Sequence, residues 1–304
     1  MVSVIIPCFN GENTIDDAIK SVFQQQYGMV ELVVVDDGST DRSAEKIKKW
    51  IPQFHTKGWT LKYIYEDNRG LGGAIDTGLK HIEGVYLTIL DDDDVFLSGA
   101  ISKKAEFLNN NSNYSLVRNN GYYVRSGKKS LFINNDYEKQ ENLFDLLIEG
   151  KTNNWAGTYM IRTDHLFSIY PDKSIYPSRF GQNYQLLLAS SYKSKCGYID
   201  EPLMEYRAHS DSHSSIEGLG LEEKHIKEEL LYAQWKDIFI HVISTIEKDE
   251  NRRARIIACY EEQYAKNELK RAYRYNDIKQ LKTSWNKIKR KDLQDCIYYY
   301  RLIQ

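Results

Sequence analysis

The chain has 304 residues, 41% hydrophobic and 28% charged, with a net charge of −2. That is the balance of a globular chain of about two domains, or of one large α/β domain with an appendage, and it excludes collagen, coiled coil and wholesale disorder. The near-neutral charge points to no polyanionic partner, and no apolar run approaches the roughly 18 residues of a membrane span. The N-terminus enters a strand at once, and the four cysteines (Cys8, Cys196, Cys259, Cys296) form no C-x-x-C pair. A reduced, cytosolic protein without signal peptide, zinc knuckle or redox dithiol is expected.

Val2–Pro7 is an unbroken apolar run, as a strand covered on both faces requires. Asn13 is a candidate N-cap for a helix whose apolar stripe is Ile15, Ala18, Ile19, Val22 and Phe23. Val30–Val35 is a second buried strand. Asp41 or Ser43 starts the next helix, with Ile47, Trp50 and Ile51 on one face. Leu61–Tyr65 is a third strand, followed by a Gly-rich stretch and a helix to about Ile82. Val85–Leu90 is a fourth strand, and a further helix starts near Ser98. Strands and helices alternate about every thirty residues, which predicts βαβ units and a mostly parallel, Rossmann-like sheet with flanking helices.

Downstream, Tyr114–Arg118 reads as a strand and Gly121–Ile133 as a hairpin turning at Ser126-Gly127-Lys128. Glu141–Glu149 is helical, Gly157–Ile161 a strand, Ser168–Gly181 a loop with Pro171 and Pro177, Asn183–Tyr192 a helix, and Gly197–Arg207 one or two strands. Beyond Gly220 the pattern is helical. The predicted division is an α/β domain over 1–217 and a helical segment over 218–304. Residues 251–304 hold fourteen Lys or Arg against six Asp or Glu, interleaved with Tyr260, Tyr264, Tyr273, Tyr275, Tyr298, Tyr299 and Tyr300.

In an open parallel sheet, ligands bind beyond the carboxyl ends of the strands. Four clusters fall there: Pro7-Cys8-Phe9-Asn10, Asp36-Asp37-Gly38-Ser39, Asp67-Asn68-Arg69-Gly70 and Asp91-Asp92-Asp93-Asp94. Adjacent carboxylates repel unless a cation neutralises them. Oxygen-only ligands select hard cations, Mg²⁺ or Mn²⁺, which take one or two carboxylates together with substrate phosphates. An aspartate at 36–37 either closes an Asx-turn or accepts hydrogen bonds from a base or ribose. Gly70-Leu71-Gly72-Gly73 is no dinucleotide fingerprint, because Ile75 stands where the third glycine belongs; it serves helix packing or close approach to a ligand. His209 and His213 lie in a Ser- and Asp-rich stretch that reads as a loop, which removes the helical zinc reading.

These features together resemble the family-2 glycosyltransferases, inverting enzymes of the GT-A fold. The resemblance rests on Val2-Ser3-Val4-Ile5-Ile6-Pro7-Cys8-Phe9-Asn10, Val35-Asp36-Asp37-Gly38-Ser39-Thr40-Asp41, Asn68-x-Gly70, Gly84-x-Tyr86-Leu87 leading into Asp91–Asp94, and Glu201-Pro202-Leu203-Met204-Glu205-Tyr206-Arg207-x-His209. It covers about residues 1–215. It implies an inverting, metal-dependent transferase that moves a sugar from a nucleotide-diphosphate sugar, a UDP-sugar by family frequency, to a saccharide or lipid-linked acceptor.

The resemblance also implies roles. Pro7, Phe9 and Glu12 line the base and ribose, Asp37 binds the base edge, and Asn68 sits near the base or sugar. Asp91 and Asp93 are the D-x-D pair, Asp93 the direct ligand of Mn²⁺ or Mg²⁺ and Asp91 nearer the ribose, with Asp92 beside them on the donor. His209 approaches the metal or diphosphate from a closing loop. Two positions depart from the family pattern. Ala74-Ile75-Asp76 lacks the arginine of the usual Ala-Arg-Asn. Gly181-Gln182-Asn183 stands where most members carry a Glu-Asp pair, a form that a subset of the family shares. An amide cannot take a proton, so Asp172 and His209 become the candidates for the base beside Asn183.

Two other functions fit parts of the pattern. Leu90-Asp91-Asp92-Asp93-Asp94-Val95 matches the nucleophile loop of a haloacid-dehalogenase-type phosphatase, although no Gly-Asp dipeptide is present for its metal. The amide at Asn183 also suits a nucleotide-sugar-binding protein without catalysis. The basic, tyrosine-rich tail suggests peripheral contact with the inner face of an anionic membrane, where each basic side chain contributes about 1 kcal/mol; a packed helical cap is the other reading. It carries no nucleic-acid-binding module.

Overall fold

In a computed structural model of the protein, which describes residues 1–153, 155–176, 178–208 and 219–303, the first half is built as the alternation predicts. Strands β1 (Val2–Cys8), β2 (Val30–Asp37), β3 (Thr60–Glu66) and β4 (Tyr86–Ile89) are parallel, joined by helices α1 (Ile15–Phe23), α2 (Ser43–Thr56) and α3 (Leu71–His81). Every residue of β1, β2 and β4 is buried, which is why these strands read as continuous apolar runs. Thr14, not Asn13, occupies the N-cap of α1. In α2 the buried face is Ile47 and Phe54, with Trp50 donating its indole N–H to Asp16 over 3.0 Å. Ile51, predicted on that face, is 38% exposed, because the stripe runs i, i+3, i+7 from Ile47.

The second half returns to the same sheet with mixed direction. β5 (Val95–Phe96) and α4 (Ala100–Asn110) precede β6 (Tyr114–Arg125) and β7 (Lys128–Leu131); α5 (Leu143–Ile148), β8 (Tyr159–Arg162), α6 (Thr163–Ile169), α7 (Gln182–Ser191) and β9 (Lys195–Arg207) follow. The sheet order is β3-β2-β1-β4-β8-β6-β9-β5, with β7 paired to β6. β8 runs antiparallel to β4 and β6, whereas β9 runs parallel to β6 with register shifts near Asn119 and Asn120. The strand and hairpin predicted separately over 114–133 thus share one long strand. Residues 195–207 form one strand, and the short β5 and α6 were not predicted.

The chain divides into two compact units, Met1–Leu147 with Thr152–His209, and Ile148–Lys151 with Ser210–Gln304. The second contains α8 (Leu221–Ile246), α9 (Glu250–Tyr275), α10 (Ile278–Lys287) and α11 (Leu293–Ile303) around Ala265, Leu269, Ala272, Leu281 and Ile288. Its tyrosines are used for packing. Tyr260 stacks on Phe239 at 3.7 Å, Tyr299 on Trp285 at 4.2 Å, and Tyr273 meets Tyr298 at 5.1 Å. Of the seven tyrosines interleaved with the basic residues, only Tyr300 is largely exposed, at 56%. Several basic side chains have acidic partners, including Arg271 with Glu268, Arg274 with Glu228, and Lys266 with Asp292. Among the described residues no helix is long and apolar enough to cross a membrane.

Candidate active site

All four clusters stand at one edge of the sheet, because β1 to β4 run in the same direction and each cluster follows its strand. The loop after β1 ties the others together. Asn10 accepts from the Thr40 N–H at 2.9 Å and donates its own N–H to Ser39 Oγ at 2.9 Å. Two residues on, Glu12 donates its N–H to Asp41 and accepts from the Arg42 N–H. Glu12 therefore locks the two loops, and Pro7 lies buried in β1 opposite Val35. Of the three residues assigned to line the nucleotide, Phe9 alone is largely exposed, at 40%.

Asp36 and Asp37 take different partners. Asp36 closes the Asx-turn, accepting from the Ser39 N–H at 2.9 Å, and also takes the Tyr63 hydroxyl at 2.7 Å. That bond and burial push the Tyr63 phenol up. Asp37, 3% exposed, accepts the Arg69 N–H at 2.6 Å on one oxygen and the Gly70 N–H at 2.8 Å on the other. It thus holds the turn after β3. Asn68 in that turn donates to the Asp37 carbonyl at 3.0 Å and accepts from the Arg179 guanidinium at 2.9 Å. The Gly-rich stretch is explained by a close approach. A Cβ on Gly72 would stand 2.0 Å from the Ser178 carbonyl oxygen, and one on Gly70 would stand 3.1 Å from Arg179 Cα. These glycines let the segment before α7 lie on the start of α3, and that brings a positive side chain to the turn although Ile75 is apolar. Asp37→Ala is expected to weaken UDP binding and to lower the melting temperature, since two charge-assisted bonds of about 1.5–3 kcal/mol each are lost. Calorimetry and thermal denaturation check this; unchanged values in both would remove Asp37 from the site.

The four aspartates form a tight turn, the Asp94 N–H donating to the Asp91 carbonyl at 3.2 Å. Asp92 turns toward β1, where the Cys8 thiol and the Phe9 N–H meet it; burial and Asp92 together push that thiol up. Gly11 makes room, since a Cβ there would stand 2.4 Å from Asp92 Oδ2. Asp94 accepts the Arg207 N–H at 2.9 Å through Oδ1, while its Oδ2 and Asp91 Oδ1 are buried without a hydrogen-bond partner. Desolvation, with Asp93 and Asp92 beside it, holds the Asp91 carboxyl up at about 8. Asp92 stands at about 7, raised by burial and then by Asp93, and Asp94 lies well above the ordinary carboxylate range for the same two reasons.

Carboxylates crowded in this way suit a hard divalent cation. Among the described residues no group of three or more His, Cys, Asp or Glu is placed to hold a metal by itself. A cation here would take Asp91 and Asp93 and complete its shell from phosphate and water, as Mg²⁺ does. Protons compete with it. The apparent affinity for Mn²⁺ is expected to rise from about pH 6 to about pH 8.5, with proton release on binding. Without the ion, the folded carboxyls stay protonated where unfolded ones ionise, so stability falls as the pH rises from about 4 to about 8. Calorimetric titration in buffers of different ionisation enthalpy checks the first; pH-independent binding without proton release would separate these carboxylates from the ion.

Beyond β4 lies Asn183, the residue at which the family resemblance implies an acid. Asn183, at the first turn of α7, accepts the Tyr159 hydroxyl at 2.6 Å, both groups buried. Burial and the nearby Asp91 push the Tyr159 phenol up. Asp172 is not brought there. It is exposed, and its neighbour Lys173 bonds the Ile82 carbonyl at the far end of α3, while Ser174 and the Ile175 N–H hold Asp76. The loop is pinned along the helix, away from the carboxyl edge. His209 lies outside the described residues. Tyr159, Arg179 and Arg207 were missed from sequence, because their partners Asn183, Asn68 and Asp94 lie 24, 111 and 113 residues away in the chain. Lys104 was missed as well. It is fully buried, its ammonium donating to the Gly157 carbonyl at 3.0 Å, and burial alone brings it down to about 7; it braces the turn that leads into Tyr159.

Residues 3–169 match the family described as Glycosyl transferase family 2. The chain belongs to this family. WfgD of Escherichia coli, a UDP-Glc:alpha-D-GlcNAc-diphosphoundecaprenol beta-1,3-glucosyltransferase, is 32% identical over 126 residues, 40% of this chain and 48% of that protein. The chain spans less than half the length of the curated relatives it matches. Among solved structures, S. aureus TarS 1–349 in complex with UDP-GlcNAc superposes with a TM-score of 0.66 at 17% identity, covering 99% of this chain and 90% of that one. The mannosyltransferase PcManGT from Pyrobaculum calidifontis, in complex with GDP-Man and Mn2+, gives 0.56 at 15% identity, covering 99% and 78%. The family-2 chain thus has the GT-A-like α/β fold expected from its motifs.

Proposed function

We propose that this family-2 glycosyltransferase moves a sugar, with inversion, from a UDP-sugar to a hydroxyl of a saccharide or lipid-linked acceptor in polysaccharide or glycoconjugate assembly. The observation that carries this reading is the order of groups along one sheet edge. The Asp37–Asn68–Arg179 assembly lies at β2 and β3, the aspartate turn at β4, and the Tyr159–Asn183 pair at β8. WfgD is named for a UDP-sugar donor and a diphosphoundecaprenol-linked acceptor, and TarS is seen with UDP-GlcNAc; both support the substrate class.

In this proposal Asp93 and Asp91 hold a Mn²⁺ or Mg²⁺ ion, whose chemistry is to neutralise charge on the departing diphosphate. Phe9 and the turn held by Asp37 receive the nucleotide, and Arg179 adds positive charge on the phosphate side. The acceptor oxygen bonds to the anomeric carbon as the bond to the diphosphate oxygen breaks, and the electron pair leaves on the diphosphate. Asn183 orients the attacking hydroxyl through its amide N–H₂. It cannot accept the proton, and His209 is the proposed base.

The test is a thermal-shift screen of nucleotide sugars with and without Mn²⁺, followed by assay of UDP release with acceptor extracts. A ligand at 100 times its dissociation constant stabilises by about 2.7 kcal/mol. The expected result is a metal-dependent shift with UDP-sugars and acceptor-dependent release of UDP. Binding with no release would support the non-catalytic reading, and no binding would overturn the proposal.

A further inference from the structure

Beyond the Tyr159–Asn183 pair, the same edge carries four aromatic rings that the transfer reading does not use. Tyr123 is on β6 and Tyr206 opposite it on β9, Trp155 precedes β8, and Phe132 follows β7. Tyr206 lies nearly parallel to Trp155, at 5.0 Å and 20°, and to Tyr123, at 5.7 Å and 14°; Tyr123 and Trp155 are 6.3 Å apart. Three centroids at these distances form a triangle and cannot form a column, so the rings are laid side by side like shingles. Phe132 abuts Trp155 edge-on at 4.3 Å. All four are only partly buried.

The group is seated deliberately. A Cβ on Gly121 would stand 2.4 Å from the Phe132 ring, and one on Gly157, at φ +77, would stand 2.9 Å from Met204. Buried Asn120 bonds the Ile133 N–H and carbonyl and so fixes the segment that carries Phe132. Both flanks connect to the aspartate turn. The Gly157 N–H, two residues after Trp155, donates to the Ile89 carbonyl at 2.6 Å, and the Arg207 N–H, next to Tyr206, donates to Asp94. Asp94, 1% exposed, keeps Oδ2 without a partner.

We infer that this aromatic floor is the acceptor subsite and that it takes a pyranose ring with an apolar C–H face. The inference rests on the proposed transfer. The nucleotide side occupies β3, β2 and β1, the aspartates end β4, and the aromatic group lies on the opposite flank, over β6 and β9. The receiving hydroxyl must approach the anomeric carbon from the side away from the diphosphate, and that flank carries these rings. Flat aromatic faces bind the C–H face of a sugar through dispersion and the ring quadrupole, while a few polar groups fix its orientation.

The test is saturation-transfer NMR with methyl β-D-glucopyranoside and methyl N-acetyl-β-D-glucosaminide, in the presence of UDP and Mg²⁺. Saturation of the ring C–H protons is expected with the unmodified protein. It should fall about tenfold in Trp155→Ala and Tyr206→Ala, persist in Trp155→Phe, and leave the UDP-induced thermal shift intact in every variant. Protection of Trp155 by glycoside in hydroxyl-radical footprinting of the unmodified protein decides the matter should an alanine variant fail to fold. A UDP shift with no glycoside signal, or with a signal indifferent to Trp155 and Tyr206, overturns the subsite and leaves the transfer reading standing. Loss of the UDP shift from the unmodified protein overturns the transfer reading itself.

Discussion

Asp93→Asn is expected to lower metal-dependent sugar transfer by about 10³-fold while raising the melting temperature of the ion-free protein. The first effect follows from charge. In the proposed site Asp93 is the direct ligand of the cation that offsets the growing diphosphate charge, and preorganised electrostatic groups of this kind carry about 10²–10³ in rate each. The second follows from the company Asp93 keeps. Its charge raises Asp91, Asp92 and Asp94 together, so neutralising it lets them ionise at lower pH, and the gain in stability should be largest above about pH 8. An active site that loses function and gains stability on neutralisation stores its strain for the ligand. Turnover assays with Mn²⁺ and melting curves in a chelator measure both. Near-normal turnover would show that the D-x-D assignment is wrong.

The second large effect is expected at Asn183. Asn183→Ala should lower kcat by about 10²-fold, the scale on which a misplaced reacting group costs rate. It deletes the acceptor of the Tyr159 hydroxyl and leaves a buried phenol unpaired. Asn183→Asp should keep kcat within about tenfold of the parent, because a carboxylate accepts the same Tyr159 bond and adds a base where most of the family carries one. Burial of the position opposes its ionisation, so the gain should appear on the alkaline side of the pH profile. Tyr159→Phe separates the two roles by removing the bond while keeping the ring. Unchanged kinetics in both Asn183 variants would place the residue outside the site.

Much of the catalytic frame was legible because it is local. Buried parallel strands need unbroken apolar runs, so β1, β2 and β4 announced themselves, and the carboxyl-end rule then placed Asp37, Asn68 and Asp91–Asp94 on one edge without any coordinates. The amide at Asn183, where the resemblance implies an acid, was visible as a plain change of residue. The two residues of β5 were too short to leave a periodic signal, and the bulges near Asn119 and Asn120 broke the alternation of the long strand β6.

What the tertiary structure alone decided is which partner each polar atom takes. Asp37 and Asp36 are adjacent and chemically identical, yet one holds the turn at Arg69 and Gly70 while the other closes a loop and binds Tyr63. Glu12 became a brace between loops, and Asp172 was carried off by the bonds that its neighbours make to α3. The aromatic floor comes from Tyr123, Phe132, Trp155 and Tyr206, on separate elements whose register depends on the pairing of β6 with β9. Strand and helix formation is written in the residues next to one another, so the layers and the edge that carries the candidate groups were set locally. Hydrogen-bond partners and ring contacts depend on pairing across distant segments, and that information exists only once the sheet has closed.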